Sequence, residues 1–132
     1  MAKNIVYKPG QHLPAPVPAG TTSGTPVRIG GLNAIAITDR AKTDVAPINA
    51  NGTVNTAYNA GGGNANGNAS VHFEGVAKVI VTAATAPTFG QVVYLASTGL
   101  TTTAATPDPD PVWGHAVDLD DGTFTTLVRI SN

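Results

Sequence analysis

Glycine and proline interrupt this chain so often that a helix has almost nowhere to form. Among 132 residues there are 15 glycines and 10 prolines, and in a helix interior each glycine costs about 1 kcal/mol and each proline about 3 kcal/mol relative to alanine. The longest uninterrupted window, Leu32 to Ala46, begins with the alternating, β-branched run NAIAIT, which confines any helix to about Asp39 to Ala46. Val, Ile, Thr and Asn fill most of the remaining space, and glutamate occurs once, as Glu74. Strands are the secondary structure that remains.

Six stretches bounded by Gly, Pro, Asn or Asp are the strand candidates: Pro26 to Leu32, Ala34 to Thr38, Ser70 to Thr82, Gln91 to Ala96, Val112 to Leu119 and Thr123 to Ile130. They are short and closely spaced, so the expected fold is all-β, a small compact β-sandwich or barrel-like body. Asp121-Gly122 and Ser97-Thr98-Gly99 each separate two such runs, and residues that tolerate positive φ there predict tight hairpins.

Two segments differ from this body. Residues 1–25 contain Pro9, Pro14, Pro16 and Pro18, which fix an extended path and remove ladder donors, so they read as an arm leading into a body of residues 26–132. Such an arm can add a strand to a partner's sheet, with the alternate side chains Ile5 and Tyr7 setting register and Lys8, His12, Pro14 and Pro16 as further contacts. The second segment is a loop excursion at about residues 45–69, whose NANGTVNTAYNAGGGNANGNA stretch offers only Val54 and Tyr58 as apolar side chains larger than alanine. Ordering it needs a neighbour, with asparagine amides bonding across a subunit boundary and Tyr58 as anchor.

The core is expected to be thin. Hydrophobic residues make up 42%, but 20 of them are Ala, and aromatic residues reach only 5%. Apolar burial contributes about 25 cal/mol per Å², so self-association would supply stability that a small Ala/Val core lacks. A formal net charge of −1 gives no bulk attraction to nucleic acid or to an anionic membrane, and neither is an expected partner. That small value hides an asymmetry: residues 1–42 carry +4, from Lys3, Lys8, Arg28, Arg40 and Lys42 against Asp39, and residues 43–132 carry −5. Opposite ends of this kind suit head-to-tail contact.

Chemistry has few footholds. Without cysteine there is no disulfide, thiolate nucleophile or cysteine-based metal site. The histidines are His12, His72 and His115, and neither HExxH nor GxSxG occurs. Asp118, Asp120, Asp121 and Gly122 imitate the start of a calcium loop, but counting from Asp118 the glycine falls at the fifth position and Arg129 stands twelfth, where a bidentate glutamate is required. Asp108 and Asp110 lie between prolines as turn residues with room for a weak surface cation, and GGGNANGN lacks the Lys-Ser/Thr of a phosphate loop. Trp113, inside VWGHAV, reads as core rather than a sugar platform. No enzyme, cofactor or metal is expected. MAKNIVYKPG has no signal-peptide apolar region and no 18-residue apolar run occurs, so cytoplasmic synthesis is expected.

Taken in order, the segments resemble a known family. LPAPVPAGTTSGTPVRIGGLNAIAITD, GNASVHFEGVAKVIVTA, FGQVVYLASTGLTTT, WGHAV and TTLVRIS resemble the capsid decoration, or cement, proteins of tailed bacteriophages. Gly20 to Gly30 matches a G-T-x-S-G-x-P-V-R-x-G block, Gly90 to Tyr94 a G-x-x-V-Y block, Gly114 to Ala116 a G-x-A block, and Val128 to Ile130 a terminal V-R-I. Residues 45–63 stand outside the resemblance as an insertion. It implies a non-enzymatic virion protein on the capsid exterior that cements neighbouring major capsid protein subunits, as a homotrimer at three-fold and quasi-three-fold positions. A carbohydrate-binding or tail-fibre-type β module is the competing reading, and it predicts exposed aromatic residues in a cleft.

Overall fold

The computed structural model of the chain describes residues 12–106, 108–117 and 125–132. Nine strands account for its regular structure: β1 (His12–Pro16), β2 (Pro26–Ile29), β3 (Leu32–Ala36), β4 (Asn68–His72), β5 (Val76–Thr82), β6 (Val92–Ala96), β7 (Gly99–Thr101), β8 (Val112–Ala116) and β9 (Thr125–Ile130). The described residues contain one single-turn 3₁₀ helix, Gly61–Gly63, and no α-helix. The fold is all-β, as the glycine and proline spacing predicts.

The strands form a four-stranded sheet in the order β1-β4-β3-β2 and a closed five-stranded barrel, β5-β7-β6-β8-β9. The barrel closes because β5 pairs with β9 antiparallel and with β7 in parallel. Strand candidate Ser70 to Thr82 is therefore two strands in two different units. The chain leaves β4 at His72, turns at Gly75, whose φ of 103° disfavours any residue with a Cβ, and begins the barrel at Val76. Pro26 to Leu32 is likewise divided by Gly30, at φ 60°, which lets β2 fold back on β3. Between Asp39 and Ala46 there is no helix; Lys42 forms an isolated antiparallel bridge with Asn59 instead. The hairpin expected at Ser97-Thr98-Gly99 is present, with Ala96 opposite Gly99. The Asp121-Gly122 turn lies outside the described residues, although β8 and β9 on either side of it do pair antiparallel.

The proline-rich stretch differs most from the sequence reading. Residues 12–16 are a paired strand of the sheet, with His12 opposite His72 and Pro16 opposite Asn68. The prolines fit because a strand donates to one neighbour only at every second residue, and the bond from the Val17 N–H to the Gly67 carbonyl (3.2 Å) puts that donor phase on the odd residues. Pro14 and Pro16 occupy the other phase, where an edge strand has nobody to donate to. Ala15 and Val17 are buried, Leu13 is half-buried and Pro14 and Pro16 are exposed, so this part of the arm has a burial pattern with period two.

Two buried clusters hold the fold. In the barrel they are Ala77, Val79, Val81, Val93, Leu100, Trp113, Val128 and Ile130; in the sheet they are Ala15, Val17, Val27, Ala34, Ala36, Ala69 and Val71. Trp113 is 0% exposed and joins the two units, since its indole N–H lies 3.2 Å from the Ala34 carbonyl and 3.3 Å from that of Val27. Buried Asn33 makes a second join. Its side-chain amide donates to the Val112 and Ser131 carbonyls (2.9 and 2.6 Å), its side-chain oxygen accepts from Arg28 (2.8 Å), and its N–H donates to the Asn132 side chain (2.6 Å).

Candidate docking surface

Of the residues expected to make contacts, Ile5, Tyr7 and Lys8 lie outside the described residues. His12, Pro14 and Pro16 lie together on β1, exposed along an edge of the sheet. The His12 ring stacks at a tilt on His72 across the strand pair, with centroids 5.0 Å apart. Tyr58 is remote in sequence from these and half-buried in the excursion.

The excursion finds its hydrogen-bond partners within the chain. Asn49 and Thr53 close a tight loop through their backbones (2.8 Å), Ile48 and Val54 pair as an isolated bridge, and the Asn55 side chain donates to the Ala46 carbonyl (2.8 Å). Further on, the Asn64 amide donates to the Gly61 carbonyl, Thr38 and Ser70 hydroxyls, while the Asn59 amide donates to Asp39. Asparagines expected to reach across a subunit boundary thus tie residues 46–68 to their own body. Among its exposed side chains, which include Asn49, Asn51, Thr53 and Thr56, the loop presents two large aliphatic ones, Ile48 at 51% and Val54 at 72% exposed.

Asp39 is a charged group that bonds to the excursion. Its carboxylate accepts the Ser23 backbone N–H (2.9 Å) and the Asn59 amide (3.0 Å), and these bonds to the charged form lower its pKa below 3.8. A lowered folded-state pKa adds stability at pH values above 3.8, and that contribution is lost as pH falls below it. The loss of thermal stability between pH 7 and pH 3 is accordingly expected to be smaller for Asp39→Asn than for the unsubstituted chain. Equal losses in both would show that Asp39 has no such role.

Among the described residues no constellation for catalysis comes together. Among the described residues no group of three or more His, Cys, Asp or Glu could hold a metal ion. His115 Nδ1 lies 3.0 Å from the Ser131 hydroxyl, and among the described residues no carboxylate is bonded to that pair. Asp108 and Asp110 sit in the strand-free stretch before β8, and Asp118, Asp120 and Asp121 lie outside the described residues. The fully buried Trp113 has no face to offer a sugar.

Two apolar surfaces escaped the sequence reading. On the outer face of β5, Val76 and Ile80 are 55% and 72% exposed on either side of Lys78. The second is a groove of about 570 Å³ where sheet and barrel meet, lined by Leu13, Leu32 and Phe73 together with Glu74 and residues 129–132. Alternation in VAKVIVT marks a two-faced strand with Ala77, Val79 and Val81 inward, but Val76 and Ile80 beside Lys78 and Thr82 on the other face do not by themselves announce an exposed apolar pair. The groove has no contiguous signal because its floor comes from β1, β3 and the β4–β5 connection. No helix among the described residues is long and apolar enough to cross a membrane. No family model, curated protein or solved structure matches the chain.

Proposed function

We propose that this protein is a non-enzymatic virion component that binds the outside of an assembled phage capsid and cements contacts between major capsid protein subunits. The observation that carries this reading is the position of β1. It is an edge strand, and the eleven residues before it, with Ile5 and Tyr7 in alternate positions, are tethered where a partner's sheet can take up an added strand.

The resembling blocks support it from a second side. Gly20, Gly24, Gly30 and Gly90 have φ of 82°, 85°, 60° and 84°, a region that side chains with a Cβ rarely adopt. Gly114 sits on β8 where a Cβ would fall on the Arg129 carbonyl oxygen of β9. Those glycines therefore correspond to corners and close approaches of this fold rather than to compositional bias. Trimerisation belongs to the same proposal, with the exposed Val76 and Ile80 face of β5 offering apolar area for a second copy or a capsid subunit.

Truncation tests the reading. Removal of residues 2–11 leaves β1 intact, so the shortened protein is expected to keep the far-ultraviolet circular dichroism of the full chain and to lose binding to capsids. Undiminished capsid binding by the truncated protein would reject the clamp.

A further inference from the structure

Two histidines far apart in sequence meet on the face of the sheet opposite its buried cluster. His12 on β1 stands across from His72 on β4, and their ring centroids are 5.0 Å apart with the planes tilted by 42°. The register explains this approach. Because the odd residues of β1 donate to β4, His12 and His72 form a pair with no backbone hydrogen bonds between them, the kind in which opposing side chains come closest. Neither ring hydrogen-bonds to another described residue, whereas His115 is engaged with Ser131. His12 is exposed and His72 half-buried, so the pair is open to ions in solution.

We propose that His12 and His72 together chelate one divalent transition-metal ion, with Cu²⁺ bound tightest and water completing the coordination. The spacing carries the proposal. With a metal–nitrogen distance of about 2.0–2.1 Å and each ring centroid about 1.1 Å behind its ligating nitrogen, two imidazoles on one ion hold their centroids about 4.5–5.1 Å apart at square to tetrahedral angles. The observed 5.0 Å falls in that range, so turning the rings about their side-chain bonds, with the strands unmoved, brings one nitrogen of each to a shared ion.

Donor type sets the metal. Imidazole suits Cu²⁺, Ni²⁺ and Zn²⁺, with copper leading the divalent series, whereas Mg²⁺ and Ca²⁺ require oxygen ligands. Among the described residues no third His, Asp or Glu joins the pair, which leaves the remaining positions to water. The bound ion ties the edge strand β1 to β4 through side chains as well as backbone. This site stands independently of the capsid reading, and its test involves no capsid.

Calorimetric titration of the full chain with Cu²⁺, joined to pulsed electron paramagnetic resonance of the complex, tests the site. One ion per chain carrying two imidazoles is expected, and Mg²⁺ is expected to give no binding. His12→Ala and His72→Ala are each expected to weaken copper binding about tenfold or more and to leave one imidazole on the ion, because a second ligand on the same sheet acts at an effective concentration of about millimolar or above. Cu²⁺ at a hundred times its dissociation constant is expected to raise the folding equilibrium constant about a hundredfold in the unsubstituted chain, and about tenfold or less in either variant. The imidazole count on the unsubstituted chain decides the matter even where a variant folds poorly. A single imidazole on that copper, undiminished affinity in either variant, or dimers sharing the ion between two chains would overturn the proposal.

Discussion

Replacing Trp113 with alanine is expected to destabilise the protein by about 3–5 kcal/mol, the range for removing a buried aromatic side chain. Small domains have about 5–15 kcal/mol in total, so the variant should be largely unfolded at moderate denaturant concentrations where the unsubstituted chain is folded. Volume is only part of the effect. The indole N–H is shared between the Val27 and Ala34 carbonyls of the sheet, and Trp113 packs in the barrel cluster, so its loss weakens the coupling of the two units as well as one core. Trp113→Phe keeps most of the apolar volume and loses the donor, for which a smaller cost of about 1–2 kcal/mol is expected. Urea unfolding followed by circular dichroism measures both. A midpoint for Trp113→Ala within error of the unsubstituted chain would show that the indole does not hold the units together.

Asn33→Ala is expected to cost about 3 kcal/mol, unusually much for removal of a polar side chain. Asn33 is 3% exposed, and its amide serves the Val112 and Ser131 carbonyls while its oxygen receives Arg28. Truncation removes the donor to both part-buried carbonyls and the acceptor for Arg28, at about 1 kcal/mol for each hydrogen bond lost. Asn33→Asp, nearly identical in shape, should be worse at neutral pH because one carboxylate oxygen would replace the amide N–H groups facing two carbonyl oxygens, a repulsion that the Arg28 pairing of the other oxygen does not remove. Equilibrium unfolding at pH 7 that ranked aspartate above alanine in stability would contradict the assigned amide orientation.

How much of this was legible in the sequence depended on whether the signal was local. Exclusion of helices followed from glycine and proline spacing, and β6, β8 and β9 fall within the runs read as strands. Phe73-Glu74-Gly75 was missed as a boundary because it interrupts an apolar alternation without proline or an Asn-Gly step, and only the change of sheet makes it a corner. Pro14 and Pro16 argued against pairing because sequence alone does not say that β1 is an edge strand. Asn33 looked like any polar residue within NAIAIT; its partners lie 79 and 98 residues away. The groove was invisible for the same reason.

Sedimentation with a capsid shell is the direct test of the proposed cementing role. Purified protein is added in increasing amounts to expanded, undecorated heads of a tailed phage, and pelleted protein is quantified against major capsid protein. Saturable co-sedimentation at a fixed ratio is expected, with decorated heads surviving heating that ruptures bare ones. Protein that remains in the supernatant at every concentration, with heads no more resistant than before, would contradict it.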